Sequence, residues 1–293
     1  MNRIVVATSE GIAHIAGDEV DWVYERPVTH LTDGAAGWWA VTPKGELLAR
    51  TEDGWVTEAQ IDAPWRANCV AAAPARVVVG TSEAHLVELT DRHLELVSSF
   101  EDAPSRRDWY TPWGGPPDVR SLAFAGDRLY VNVHVGGILA SDEKGWSPTI
   151  DYHADVHHVI TSDGLVLAAS ARGLAFSRDA GASWDYATRG LHATYERAVA
   201  VCGDTVLVSV SSGPRGGKAA VYRGTLDGEW ERCRSGLPEW FSDNVDTFRL
   251  IGAGPEAALG TTSGEIYRSS DAGLTWKRIA TGLGSIKALE FES

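Results

Sequence analysis

The sequence predicts an all-β fold, a seven-bladed β-propeller whose N- and C-terminal strands close one blade. Three observations predict it. Short apolar runs with period-two alternation, bounded by Gly and Asp turns, fill the 293 residues, and no segment reads as a long amphipathic helix. One eight-residue motif recurs, as Ser177-Arg-Asp179-Ala-Gly181-Ala-Ser183-Trp184 and as Ser269-Ser-Asp271-Ala-Gly273-Leu-Thr275-Trp276, and internal repeats mark closed or stacked architectures. Finally, seven segments can be stacked as innermost strands, and the last, from Ser285, leaves too little chain for a blade of its own.

Each full copy matches S-x-D-x-G-x-[S/T]-W and is followed by a Gly-Leu pair, Gly190-Leu191 and Gly282-Leu283. Shorter forms are Thr225-x-Asp227-Gly228-x-Trp230, Thr51-x-Asp53-Gly54-Trp55 and Ser141-x-Glu143-x-Gly145-Trp146. Such a segment makes a tight turn. Asp and Ser oxygens accept backbone N–H groups, Gly supplies positive φ, and Trp plugs between sheets. On these residues the chain resembles the Asp-box (BNR) repeats of sialidase-like propellers, in the wider group of WD40, YVTN and BNR-like folds often labelled glycosyl hydrolases. The resemblance implies that the boxes lie on outer turns, away from the active face.

The strands follow. The stacked innermost segments begin at Val28, Arg66, Asp118, Asp155, Tyr195, Val245 and Ser285. The N-terminus starts mid-blade with Arg3 to Ala7, so 285–293 is expected to pair with it and close the ring, which removes exposed sheet edges. One domain is expected over 1–293, with blades at about 1–27 plus 285–293, 28–65, 66–117, 118–154, 155–194, 195–243 and 244–284.

Composition sets limits on function. A hydrophobic share of 44% is ample for a core, and no run approaches the 18 apolar residues of a membrane span. Three scattered cysteines form no CxxC pair, so neither a disulfide framework nor a zinc cage is expected. The N-terminus shows no apolar signal region, and a cytoplasmic location is expected. The net charge of −14 argues against nucleic-acid and anionic-membrane partners.

Against that acidic background, the third positions of the stacked strands are His30, Asn68, Arg120, His157, Arg197, Thr247 and Lys287. All are polar, and five are basic or can become so. Turns opening on the same face are expected to add His134, Arg172 and Arg215. Long joining loops add Trp109, Tyr110 and Trp113, with Trp240 and Phe241 from 237–244. Arg forks and imidazoles suit carboxylate or phosphate. Asp118, Asp155, Tyr195 and Glu196 are the acid–base candidates, with Asp246 nearby. Tyr195-Glu196 resembles the Tyr/Glu pair of a sialidase, although Arg26-Pro27 lacks the intervening residue of that family's R-x-P element. His157 and His158 are adjacent on a strand and point to opposite faces. His134, Asp155 and His157 make a partial metal set that no spacing demands, so no metal and no other cofactor is expected.

These residues point to a basic, aromatic-rimmed channel mouth that binds an anionic small molecule or carbohydrate acid, as a hydrolase or lyase. The alternative is a non-catalytic propeller presenting an Arg-rich face to a protein partner, resembling photosystem assembly-factor propellers. A strict glycosidase would need two facing carboxylates.

Overall fold

A computed structural model describes residues 2–34, 37–111 and 114–292. Seven four-stranded antiparallel sheets stand in a ring, the architecture the sequence predicts. Counting from the N-terminus, the innermost strands of blades two to seven are His30–Gly34, Ala67–Ala73, Val119–Ala125, Val156–Ser162, Tyr195–Cys202 and Leu250–Ala253; that of blade one is Ile286–Phe291. Each packs on the next, and Ile286–Phe291 packs on both Leu250–Ala253 and His30–Gly34, so the ring is complete.

Closure is non-covalent, by antiparallel strand pairing between the two ends of the chain. Ile286–Phe291 pairs with Ile4–Thr8 from the other end of the chain, Leu289 opposite Val6 and Phe291 opposite Ile4. Glu292 adds ion pairs to Arg3 and Arg50.

The core lies between blades, where the apolar faces of neighbouring sheets meet in seven buried clusters. Small residues let the sheets approach near the axis. A Cβ on Gly80 would lie 2.3 Å from Val119 of the next blade, and one on Gly260 would lie 2.4 Å from Ile286. No side chain fits there.

The two full repeat motifs fold alike, each joining the third and outermost strands of its blade. Asp179 accepts from the Ser183 amide and hydroxyl at 2.8 and 2.6 Å, and Asp271 accepts from the Thr275 amide and hydroxyl at the same distances. The Trp184 indole then reaches Thr149 in the preceding blade, and Trp276 is buried beside the preceding blade's Leu207 and Cys233. These turns staple neighbouring blades at the rim.

Candidate functional site at the channel mouth

An innermost strand in a strict ladder would turn every second side chain into the channel. Here the ladder is interrupted where each strand enters. In blade three the register slips between Ala67 and Cys69, leaving Asn68 as the extra residue. The same slip isolates Arg120 between Val119 and Ser121, His157 between Val156 and His158, and Lys287 between Ile286 and Ala288. In blade six it spans Glu196 to Val199 and releases Arg197. A β-bulge re-aims the side chain of its extra residue, and bulges are frequent beside active sites. Five bulges therefore place Asn68, Arg120, His157, Arg197 and Lys287 at one end of the channel.

Asp246 organises this end. Its Oδ1 accepts from Arg120 at 3.2 Å and Arg197 at 3.1 Å, and also from the Thr247 amide at 2.9 Å. Burial opposes ionisation of Asp246, but the two guanidiniums outweigh it and hold the carboxyl well below its ordinary range. Thr247 donates to the His157 and Arg197 carbonyls, tying blade seven to blades five and six.

A second group adjoins the first. Arg120 Nη1 lies 3.4 Å from His134 Nε2, which is 3.2 Å from Asp155 Oδ1. His157 Nε2 is 3.6 Å from the same oxygen, and its ring stands beside Tyr195 and His134. His134 sits on the turn after Arg128–Val133, and its amide bonds the Asp118 carbonyl. Burial would raise the Asp155 carboxyl, yet the two imidazoles hold it well below its usual value.

Between these groups opens a cleft of about 250 Å³, lined by Asn68, Asp118, Arg120, His134, Asp246, Arg249 and Lys287 among others. Lys287 forms no ion pair among the described residues. Burial, then the field of Arg249, depresses its ammonium below the ordinary lysine value. Asp118 likewise engages no cation there.

Of the expected site residues, the fold brings together Asn68, Asp118, Arg120, His134, Asp155, His157, Tyr195, Arg197 and Lys287. Others stand elsewhere. His30 is buried below the mouth, where its Nδ1 accepts the Val70 amide; both Thr29 and His30 oppose Val41, and Thr29 is the blade-two residue on the cleft. Glu196 is wholly buried on the opposite side of its strand from Tyr195 and Arg197, and burial raises its carboxyl well above the ordinary range despite the Leu174 amide. It cannot serve the mouth. Trp109 is no rim residue, since it folds down onto Phe100 with Arg106 above it. Arg172 turns outward to Asp151, and Arg215 is exposed on a turn that offers Arg197 the Pro214 carbonyl instead. Trp113 lies outside the described residues. Thr29, Arg249 and Phe248 were missed by sequence reasoning.

Phe248 divides the channel. It adopts φ +66°, a conformation a bulky residue rarely takes, and its ring lies 3.8 Å from that of His30 and 5.1 Å from that of His158. It borders the mouth cleft on one side and a cavity of about 520 Å³ on the other, which His30, His158 and Glu290 also line.

No protein-family model matches this chain, and no curated protein matches it in sequence. Solved structures do. The GH74 xyloglucanase from Xanthomonas campestris aligns at 17% identity and TM-score 0.60 over 94% of this chain and 46% of its own. YCF48 from Cyanidioschyzon merolae aligns at 13% and 0.58, over 88% of this chain and 86% of its own. BamB from Moraxella catarrhalis aligns at 16% and 0.55, over 96% and 83%. This chain spans less than half of the xyloglucanase. The likeness is one of fold.

Proposed function

We propose that this chain is a BNR-type propeller whose channel mouth binds a small carboxylate- or phosphate-bearing molecule, a sugar acid being the leading class. The observation that carries the reading is Lys287, a recessed ammonium beside Arg120 and Arg249 with no ion pair among the described residues. An anion in the cleft would supply the missing counter-charge and take charge-assisted hydrogen bonds from the Arg120 fork. The arginines are recessed, with Arg120 and Arg197 side chains 20% and 15% exposed, which suits a small ligand better than a flat protein partner. Turnover by hydrolysis or elimination would use Asp118, the cleft carboxylate free of cations among the described residues, as proton acceptor. The three buried, unpaired thiols fit a reducing, cytoplasmic setting.

Thermal-shift and calorimetric titration with phosphate, citrate and glucuronate tests this. One anion class should stabilise the protein by about 2.7 kcal/mol at a hundred times its Kd. Lys287→Ala and Arg120→Ala should each abolish the shift, while Asp118→Asn should keep binding and lose turnover. An anion-induced shift that survives in both cation variants would sink the reading.

A further inference from the structure

His134, Asp155 and His157 come from two turns and a strand, and their ligand atoms lie within 4.8 Å of one another. The chemistry of those atoms is unusual. His157 Nδ1 contacts the Glu196 carbonyl oxygen, which can only accept, so Nδ1 carries the ring proton and Nε2 presents a lone pair. Arg120 donates toward His134 Nε2, which therefore presents a lone pair too. The two nitrogens lie 3.2 and 3.6 Å from Asp155 Oδ1, a carboxylate oxygen. His157 is fully buried, and neither its Nε2 nor Asp155 Oδ1 makes a hydrogen bond among the described residues. With both imidazoles in these tautomers three electron-pair donors converge, an arrangement relieved either by protons, through which the histidines keep the carboxylate ionised, or by a cation at the centre.

We infer that His134 Nε2, Asp155 Oδ1 and His157 Nε2 form a facial two-histidine, one-carboxylate site for a divalent first-row transition ion, with its open positions toward the mouth. Imidazole and carboxylate together suit zinc, iron(II), manganese or cobalt, and the absence of sulfur disfavours copper(I). Ligands about 2.0–2.2 Å from a tetrahedral ion stand roughly 3.3–3.6 Å apart. The two His–Asp separations, 3.2 and 3.6 Å, already match this; the two imidazole nitrogens lie within 4.8 Å and would draw together around the ion. The supporting shell is present as well. The Glu196 carbonyl fixes the His157 tautomer, the usual device behind a metal-ligating histidine. Asp155 itself is held at φ +52°, strained backbone of the kind that persists at functional sites.

The surrounding charge agrees. Asp246 and Asp155 offset Arg120 and Arg197 beside the cluster, and a divalent ion would add positive charge to the mouth. The metal site does not depend on the anion reading, though a filled site would strengthen it.

The test uses the full chain, stripped with a chelator and titrated with cobalt(II) in chloride buffer free of phosphate and carboxylates. One equivalent should bind, with visible d–d bands of nitrogen and oxygen ligation and no thiolate charge-transfer band, and zinc should displace it. Asp155→Asn is the safest variant, because Asn tolerates the left-handed backbone and removes only the charge. It and His134→Ala should each weaken cobalt binding by at least about tenfold. Arg197→Ala should leave the stoichiometry at one. No saturable cobalt binding, or one equivalent bound with undiminished affinity by the Asp155→Asn/His134→Ala double variant, overturns the proposal. Because no anion is present, either outcome leaves the anion titration to be judged separately.

Discussion

The mouth and the far end of the channel are formed by the same ring of innermost strands, yet they handle charge in opposite ways. At the mouth, Arg120 and Arg197 share Asp246, and every member of that trio stays ionised. Below Phe248, burial pulls His30 and His158 down to about 3 and, aided by Asp33, pushes Glu290 up to about 8. Those three are uncharged near neutrality. The difference is one of counter-charge. The bulges bring opposite charges together at one end, whereas the ladder below leaves each titratable group among apolar atoms and backbone amides.

The strongest way to break this contrast is to take the shared acid from the mouth. Asp246→Ala leaves two recessed guanidiniums without their shared carboxylate and should cost about 2–3 kcal/mol, discounted for the solvent that reaches the mouth; equilibrium urea unfolding reads it. At the far end the sign reverses. Glu290 ionises near 4.5 when unfolded and near 8 when folded, so its contribution worsens as pH rises from 4.5 to 8 and is level beyond. Glu290→Gln should therefore stabilise the protein by about 1–2 kcal/mol at pH 8, allowing for water in the cavity, and leave it unchanged at pH 4.

His158 sharpens the same point from the acid side. Its folded value is depressed, so stability is lost as pH falls below the ordinary 6.5, by about 1 kcal/mol at pH 5.5. His158→Gln, which keeps an acceptor for the Val199 amide, should flatten the unfolding curve between pH 6.5 and 5. Smallest of all, Asn68→Ala removes one exposed-end hydrogen bond, to the Val119 carbonyl, and should shift stability by no more than about 0.5 kcal/mol.

The ring and its closure were legible because both rest on local pattern. Period-two runs mark strands, and the late start of 285–293 forces pairing with 3–7. The site was only half legible, and the bulges explain why. Period two cannot see an unpaired extra residue. In blade two the count landed on His30 when Thr29 held the equivalent place. In blade six it credited Glu196, which the strand turns into the core. Trp109 failed for another reason, since its loop folds back on Phe100 and no local pattern records that. The His134, Asp155 and His157 set was visible as residues but carried no spacing signal, because the 155–157 segment and the turn bearing His134 meet only when blades four and five pack.

The bulges also separate two tasks that share one strand. Asn68, Arg120, His157, Arg197 and Lys287 hold no rung of the ladder, while their neighbours Val119, Val156 and Ile286 bear the packing. Asn68 and Lys287 can thus vary with little penalty to the scaffold, whereas Arg120, His157 and Arg197 carry contacts of their own. A combinatorial library confined to 68 and 287 should return mostly folded members with altered ligand preference, and the same freedom would let evolution adjust the specificity of such a ring one blade at a time.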